Sequence, residues 1–137
     1  FQCINTVYAE TAEQNGTTAI SLINTVPAMT IDTENMRPFL GNTVGGMSGP
    51  AIKPIALKMV HEIYKSVTVP IIGMGGISNY RDVLDFLMVG ATAVSIGTMN
   101  LVDPESPNKI LENIDNFFIK KNIHDFDELK KTFQKNL

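Results

Sequence analysis

The stretch PIIGMGGIS, Pro70 to Ser78, decides the fold of this chain. Its apolar residues Val69 to Ile72 are typical of a β-strand that is buried on both faces, and three glycines follow within four positions. Such glycines either form a tight turn or let a ligand approach the backbone closely, because glycine has no Cβ. This stretch alone leaves both interpretations open, so the neighbouring elements have to decide.

Strands and helices alternate on either side of this stretch. Thr18 to Ile23 and Ala91 to Ile96 are further apolar, β-branched runs that predict buried strands. Helical patterns cover residues 6–14, 51–66, 106–121 and 125–134, and another helix begins at Ser78 or Asn79 and ends before Gly90. This alternation predicts an α/β fold with a parallel sheet and right-handed crossovers. Residues 24–50 show no clear periodicity, and we predict a long functional loop there.

Composition and charge exclude several classes of protein. The chain has 137 residues, 44% hydrophobic and 18% charged, which predicts one globular domain over residues 1–137. A net charge of −3 argues against a nucleic-acid partner, and no apolar run reaches the ~20 residues of a membrane span. The single cysteine, Cys3, excludes an internal disulfide and a multi-cysteine metal site, so we predict no metal. No signal peptide is visible, and we expect a cytoplasmic protein.

Small polar residues and glycines follow each predicted strand. Ligands of parallel α/β folds bind at the carboxyl ends of the strands, which here carry Asn24-Thr25, Gly75-Gly76 and Gly97-Thr98. Two successive glycine loops after the last two strands predict a phosphate site built from backbone N–H groups. A dinucleotide motif is rejected, because Ser78 stands where its third glycine belongs and no acidic residue ends the next strand.

The long loop ends in a third cluster, GNTVGGMSGPAIKP, Gly41 to Pro54. It is either a flexible lid or a segment that holds a backbone N–H against a ligand. We expect Lys53 and Lys58 to be solvated, and Cys3, His61 and His124 to have no role in catalysis. No acid, base or nucleophile stands out, so a bound cofactor has to supply the chemistry.

These segments together resemble one enzyme family. SLINT (residues 21–25), GNTVGGMSGPAIKPIAL (41–57) and VPIIGMGGISNYRDVLDFLMVGATAVSIGT (69–98), followed by DP, are similar to class 1 dihydroorotate dehydrogenases. GGMSGPAIKP resembles the class 1B type more than the 1A type. The resemblance implies the C-terminal half of an FMN-binding (β/α)8, or TIM, barrel. The enzymes of this family oxidise (S)-dihydroorotate to orotate in pyrimidine (UMP) biosynthesis.

The resemblance also implies roles for eight residues. Asn24 and Thr25 correspond to the pair that hydrogen-bonds the substrate. The positions that correspond to FMN contacts are Ile23, Gly49, Gly75, Gly76, Gly97 and Thr98, of which the last four hold the phosphate. The catalytic base of class 1B enzymes, a cysteine, and a lysine beside the flavin would both lie upstream of Phe1. No catalytic residue is therefore expected in this chain, and we expect it to be inactive alone.

Class 1B enzymes pass electrons from FMN to a second subunit with FAD and an iron–sulfur cluster, and on to NAD. The resemblance therefore implies such a partner, although another acceptor stays open. Unpaired strand edges predict a homo-oligomer. The alternatives are another phosphate-cofactor barrel, such as a pyrimidine-reducing flavoenzyme, and a non-catalytic half-barrel.

Overall fold

The computed structural model describes residues 3–137, in which short strands alternate with helices. The helices are α1 (Cys3–Gln14), α2 (Lys53–Tyr64), α3 (Tyr80–Met88), α4 (Thr98–Val102), α5 (Ser106–Lys121) and α6 (Phe126–Gln134). The strands are β1 (Ile20–Leu22), β2 (Val26–Ala28), β3 (Ile31–Asp32), β4 (Arg37–Pro38), β5 (Gly45–Met47), β6 (Ile71–Met74) and β7 (Ala93–Ser95). A single 3₁₀ turn, Pro50–Ile52, precedes α2.

The main sheet is parallel, as predicted. Its strand order is β1-β6-β7, with Ile20 opposite Ile71 and Ile72 opposite Ala93. All three strands therefore end at the same edge, which brings the residues that follow them together. The prediction that the strands are buried on both faces is wrong for part of the sheet, because Ser21 and Ala93 are exposed.

Helices α2 and α3 cover one face of this sheet. Ala56 and Val60 of α2 and Phe86 of α3 are fully buried in the core. The predicted ends of α3 are confirmed: Asn79 caps its first turn and accepts a hydrogen bond from Arg81 N at 2.9 Å, and Gly90 follows it with φ +124°. Both signals fix the helix length from local chemistry alone.

The predicted loop over residues 24–50 contains regular structure that the sequence did not reveal. β2 pairs with β5 and β3 pairs with β4, both antiparallel, as two small ribbons. These strands have two or three residues each, too short to produce an alternating pattern. Several large apolar side chains of residues 24–50 are exposed, among them Met29, Met36 and Phe39.

Helix α1 is attached to the start of the central strand by one carboxylate. Glu13 Oε1 accepts hydrogen bonds from Thr68 Oγ1 at 2.6 Å, Thr68 N at 2.8 Å and Val69 N at 3.0 Å. The hydrogen bonds from Thr68 hold the pKa of Glu13 below its ordinary value. Among the described helices, none combines the length and apolar character that crossing a membrane requires.

Candidate functional site

The carboxyl ends of β1, β6 and β7 border one cavity of about 540 Å³, a size typical of small-ligand sites. The loop that precedes α2 closes another side of it. The structure brings all eight predicted site residues together around this cavity: Ile23, Asn24, Thr25, Gly49, Gly75, Gly76, Gly97 and Thr98. They come from four separate segments: three follow the parallel strands, whose register brings their ends together, and Gly49 lies in the loop before α2.

The turn after β6 needs glycine for reasons internal to the protein. Gly75 has φ +116° and Gly76 has φ +78°, values that residues with a Cβ rarely adopt. A Cβ on Gly76 would lie 2.8 Å from Gly49 O and from Lys53 N, and one on Gly75 would lie 3.2 Å from Ile23 Cγ1. The missing Cβ atoms therefore face protein atoms, while the backbone borders the cavity. The tight-turn interpretation of PIIGMGGIS is therefore confirmed, and the close approach of a ligand stays a prediction.

Two of the loops that line the cavity carry backbone N–H groups without a partner. Within residues 3–137, the N–H groups of Gly75, Gly76, Gly97 and Thr98 make no hydrogen bond. At Gly97, which borders the cavity, a Cβ would meet no other residue within 4 Å. Unpaired N–H groups on converging loops suit an anion, and a phosphate in particular.

Asn24 and Thr25 lie between β1 and β2. Asn24 Oδ1 accepts a hydrogen bond from Thr25 N at 2.7 Å, which is a local turn contact and leaves Nδ2 as a donor. Thr25 packs so closely on Gly46 that a Cβ at Gly46 would collide with the Thr25 side chain. The ribbon of β2 and β5 thus sets the position of Thr25.

Sequence reasoning missed several serines that also line the cavity. Ser48 Oγ and Thr98 Oγ1 lie 2.9 Å apart in a hydrogen bond that joins the loop before α2 to the start of α4. Ser21 and Ser95 lie on the exposed side of the sheet, and Ser78 follows the glycine turn. The position of Ser21 between two apolar residues, Ile20 and Leu22, was the available signal, whereas the Ser48–Thr98 contact spans 50 positions and has none.

The lining contains no titratable side chain. Among described residues, those around the cavity are glycines, serines, threonines, one asparagine, one proline and aliphatic residues including methionine. His61 is half-buried on α2 and His124 is exposed before α6, both outside the cavity. No group of three or more metal-ligating side chains occurs in the described part of the chain. These groups can bind and orient a ligand, but they cannot remove a proton from it.

The prediction that Lys53 is solvated is wrong. Lys53 Nζ donates to Asp82 Oδ1 at 2.5 Å and to Asp85 Oδ2 at 3.0 Å, and its side chain is 25% exposed. The bond to Asp82 raises the pKa of Lys53, against the effect of burial. Burial opposes ionisation of Asp82, but its bonds with Lys53 and Ser78 outweigh burial and lower the pKa of Asp82. Lys58 agrees better with the prediction: it is half exposed and pairs with Glu62 on the surface.

Comparison with known proteins agrees with this geometry. Residues 3–118 match the family model described as dihydroorotate dehydrogenase. The chain belongs to the dihydroorotate dehydrogenase family. The resemblance drawn from the sequence motifs is thereby confirmed.

Two curated relatives are the catalytic subunits of dihydroorotate dehydrogenase B (NAD(+)) from Caldicellulosiruptor saccharolyticus and Caldicellulosiruptor bescii. Both are 50% identical, over 86% and 90% of this chain and over 39% and 41% of their own lengths. The corresponding subunit from a Thermoanaerobacter species is 46% identical, over 90% of this chain and 41% of its own length. The chain thus spans about two fifths of the length of these dihydroorotate dehydrogenases.

A solved structure supports the fold. The crystal structure of a dihydroorotate dehydrogenase from Eimeria tenella, in complex with ferulenol, superposes with a TM-score of 0.76 at 23% identity. The match covers 96% of this chain and 34% of that protein. The parallel strands and alternating helices are therefore those of part of a (β/α)8 barrel, as the sequence predicts.

Proposed function

We propose that this chain forms the FMN-holding part of a dihydroorotate dehydrogenase of the NAD-linked type. The observation that carries the proposal is the convergence of eight motif residues, from four segments, on one cavity with unpaired backbone donors. In this proposal residues 1–137 act as one domain, and the whole enzyme oxidises (S)-dihydroorotate to orotate in the cytoplasm.

The cavity fits the phosphate end of FMN. Gly75 and Gly76 on one loop, and Gly97 and Thr98 on the other, offer four N–H groups toward an anion. Ile23 and Gly49 border the same cavity, where they would contact the rest of the cofactor. When bound, FMN supplies a hydride acceptor, and the chain supplies a rigid frame that orients it.

The substrate would lie beside Asn24 and Thr25. Asn24 Nδ2 and the Thr25 hydroxyl can donate hydrogen bonds to a carboxylate or to a ring carbonyl. Neither group can act as a base at neutral pH, and the described lining adds none. Removal of the proton from dihydroorotate therefore depends, in this proposal, on a group outside the 137 residues.

The electrons would leave through a second protein. The relatives are named catalytic subunits of an NAD(+) enzyme, which implies a partner subunit. We propose a partner that carries FAD and an iron–sulfur cluster and passes electrons to NAD.

The test compares FMN with riboflavin, which has no phosphate. We expect the purified 137-residue chain to bind FMN about tenfold or more tightly than riboflavin, since charge-assisted bonds hold the phosphate. Fluorescence quenching measures both affinities. Equal affinities, or no binding of either, would overturn the proposed cofactor site. A shift of the bound flavin's absorption on addition of orotate would support the substrate assignment, and an unchanged spectrum would oppose it.

The proposal also predicts that the chain alone is inactive. No group that lines the described cavity can accept the proton, so dihydroorotate and FMN should give no orotate above the rate of free FMN. Orotate absorbance follows the reaction. Turnover by the pure chain would show that a base is present and that this assignment is wrong.

A further inference from the structure

The glycine turn is connected to two helices by one pair of charged side chains. Lys53 is the first residue of α2 and Asp82 lies in the first turn of α3. Their side chains meet at 2.5 Å and Asp82 is only 5% exposed. An ion pair this buried requires further hydrogen bonds, because desolvation of the charges is costly.

The further bonds to Asp82 all come from the residues that follow the glycine turn. Asp82 Oδ2 accepts from Ser78 N and Ser78 Oγ, both at 2.8 Å, from Asn79 N at 3.1 Å and from Asn79 Nδ2 at 2.8 Å. Ser78 borders the cavity. The carboxylate therefore holds the end of the turn, while its other oxygen holds Lys53.

Lys53, the other member of the pair, packs directly against the turn. A Cβ on Gly76 would lie 2.8 Å from both Lys53 N and Lys53 Cβ, so the turn rests on the backbone of the residue that carries the cation. Lys53 thus contacts Gly76 of the turn, and Asp82 holds Ser78 and Asn79, which follow the turn. Asp85 also accepts from Lys53, at 3.0 Å, but it has no bond to the turn.

We propose that Lys53 and Asp82 are positioning residues that fix the Gly75–Gly76 turn so that its N–H groups stay aligned on the phosphate of FMN. The inference rests on the proposed function. Preorganised donors bind an anion more tightly than mobile ones, because no ordering cost accompanies binding.

The decisive variant is Asp82→Asn. Removing a negative charge near the phosphate would strengthen FMN binding if the pair acted only through charge. If the pair acts by positioning, the same variant lowers the affinity for FMN about tenfold and changes the affinity for riboflavin by less than about twofold. The reason is that only FMN has a phosphate for the turn to bind. Asp82→Glu keeps the charge, displaces the carboxylate by one methylene and should give the same selective loss. It also serves if Asp82→Asn does not fold.

Asp85→Asn is the matched control, because it removes a partner of the same lysine without touching the turn. It should keep the wild-type preference for FMN over riboflavin. An unchanged or increased preference in both Asp82 variants would overturn the inference, as would an equal loss of both flavins. Absence of an FMN preference in the wild-type chain would instead overturn the proposed function and, with it, this role of the pair.

Discussion

At the residue scale, the two glycine loops around the cavity differ in why they need glycine. Gly76 has a positive φ and no space for a Cβ, whereas Gly97 has φ −102° and open space beside it. The first requirement belongs to folding. At Gly97 no other part of the protein excludes a Cβ, although its ψ of −93° lies outside the helical and extended regions.

This difference predicts opposite results for two alanine variants. Gly76→Ala should lower the free energy of unfolding by about 2–4 kcal/mol, through backbone strain and the contacts with Gly49 and Lys53. Gly97→Ala should lower it by less than Gly76→Ala does, since its Cβ meets no other residue within 4 Å, but should weaken FMN binding. Urea unfolding and flavin titration measure the two effects. Equal losses of stability in the two variants would show that the contacts at Gly76 do not explain its need for glycine.

Gly46 provides a second prediction at this scale. Its missing Cβ leaves the space in which the Thr25 side chain lies, so Gly46→Ala should displace that side chain. The Thr25 methyl resonance should shift in a ¹H–¹³C spectrum, while flavin affinity should stay unchanged. Gly41→Ala is the control, because a Cβ at Gly41 meets no atom within 4 Å. An unmoved Thr25 methyl in Gly46→Ala would contradict the contact.

At the scale of elements, the ion pair between α2 and α3 predicts a dependence of stability on pH. The pKa of Asp82 is lowered by folding, so its contribution is complete above the unfolded pKa and is lost as the pH falls through the native pKa. The charged groups that face it are Lys53 and, beyond that lysine, Asp85. Wild type should therefore lose more stability than Asp82→Asn between about pH 5 and pH 2.

Thermal unfolding over this pH range measures the effect. Glu13 and the surface pair of Asp103 with Lys109 also have lowered carboxyl pKa values, so only the difference between wild type and variant reports on Asp82. Parallel stability curves for the two proteins would exclude a stabilising role for the ionised carboxylate.

The same elements show what the sequence could and could not predict. Local chemistry fixed the ends of α3, because Asn79 and Gly90 act within one turn of the helix. The three parallel strands followed from apolar runs, but the ends of β6 did not, because it begins at Ile71 and continues through Gly73 to Met74. The ribbons between residues 26 and 47 were missed because two- and three-residue strands carry no period.

The bond between Lys53 and Asp82 was missed for a different reason. It spans 29 positions and depends on how α2 packs on α3, which no local pattern encodes. The candidate site was predicted more completely than the fold around it, because each of its motifs follows a strand end and parallel strands share one edge.

At the scale of the whole molecule, the chain exposes more surface than its mass requires. It has 9061 Å² of accessible surface at 15.0 kDa, whereas a compact monomer of that mass exposes about 7,000 Å². The outer edges of β1 and β7 have no neighbour in the described sheet. Apolar side chains such as Met36, Phe39 and Leu101 add to this exposed surface.

These features predict self-association of the isolated chain. An excess of about 2,000 Å² matches the area that large protein interfaces bury, and open strand edges pair readily with other strands. Light scattering coupled to size-exclusion chromatography should give a mass above 15.0 kDa that rises with concentration. A monodisperse monomer at all concentrations would show that these strand edges and apolar side chains do not drive self-association.

The turn after β6 has a consequence for interpreting related sequences. Because Gly75 and Gly76 are required by backbone conformation and by contacts inside the protein, a homologue without a flavin site would still keep both. Retention of this glycine pair therefore carries little information about whether a homologue is a flavoprotein. Gly97 has no such contact with the rest of the protein, so its replacement by a larger residue would be the more informative sign that a homologue has no flavin site.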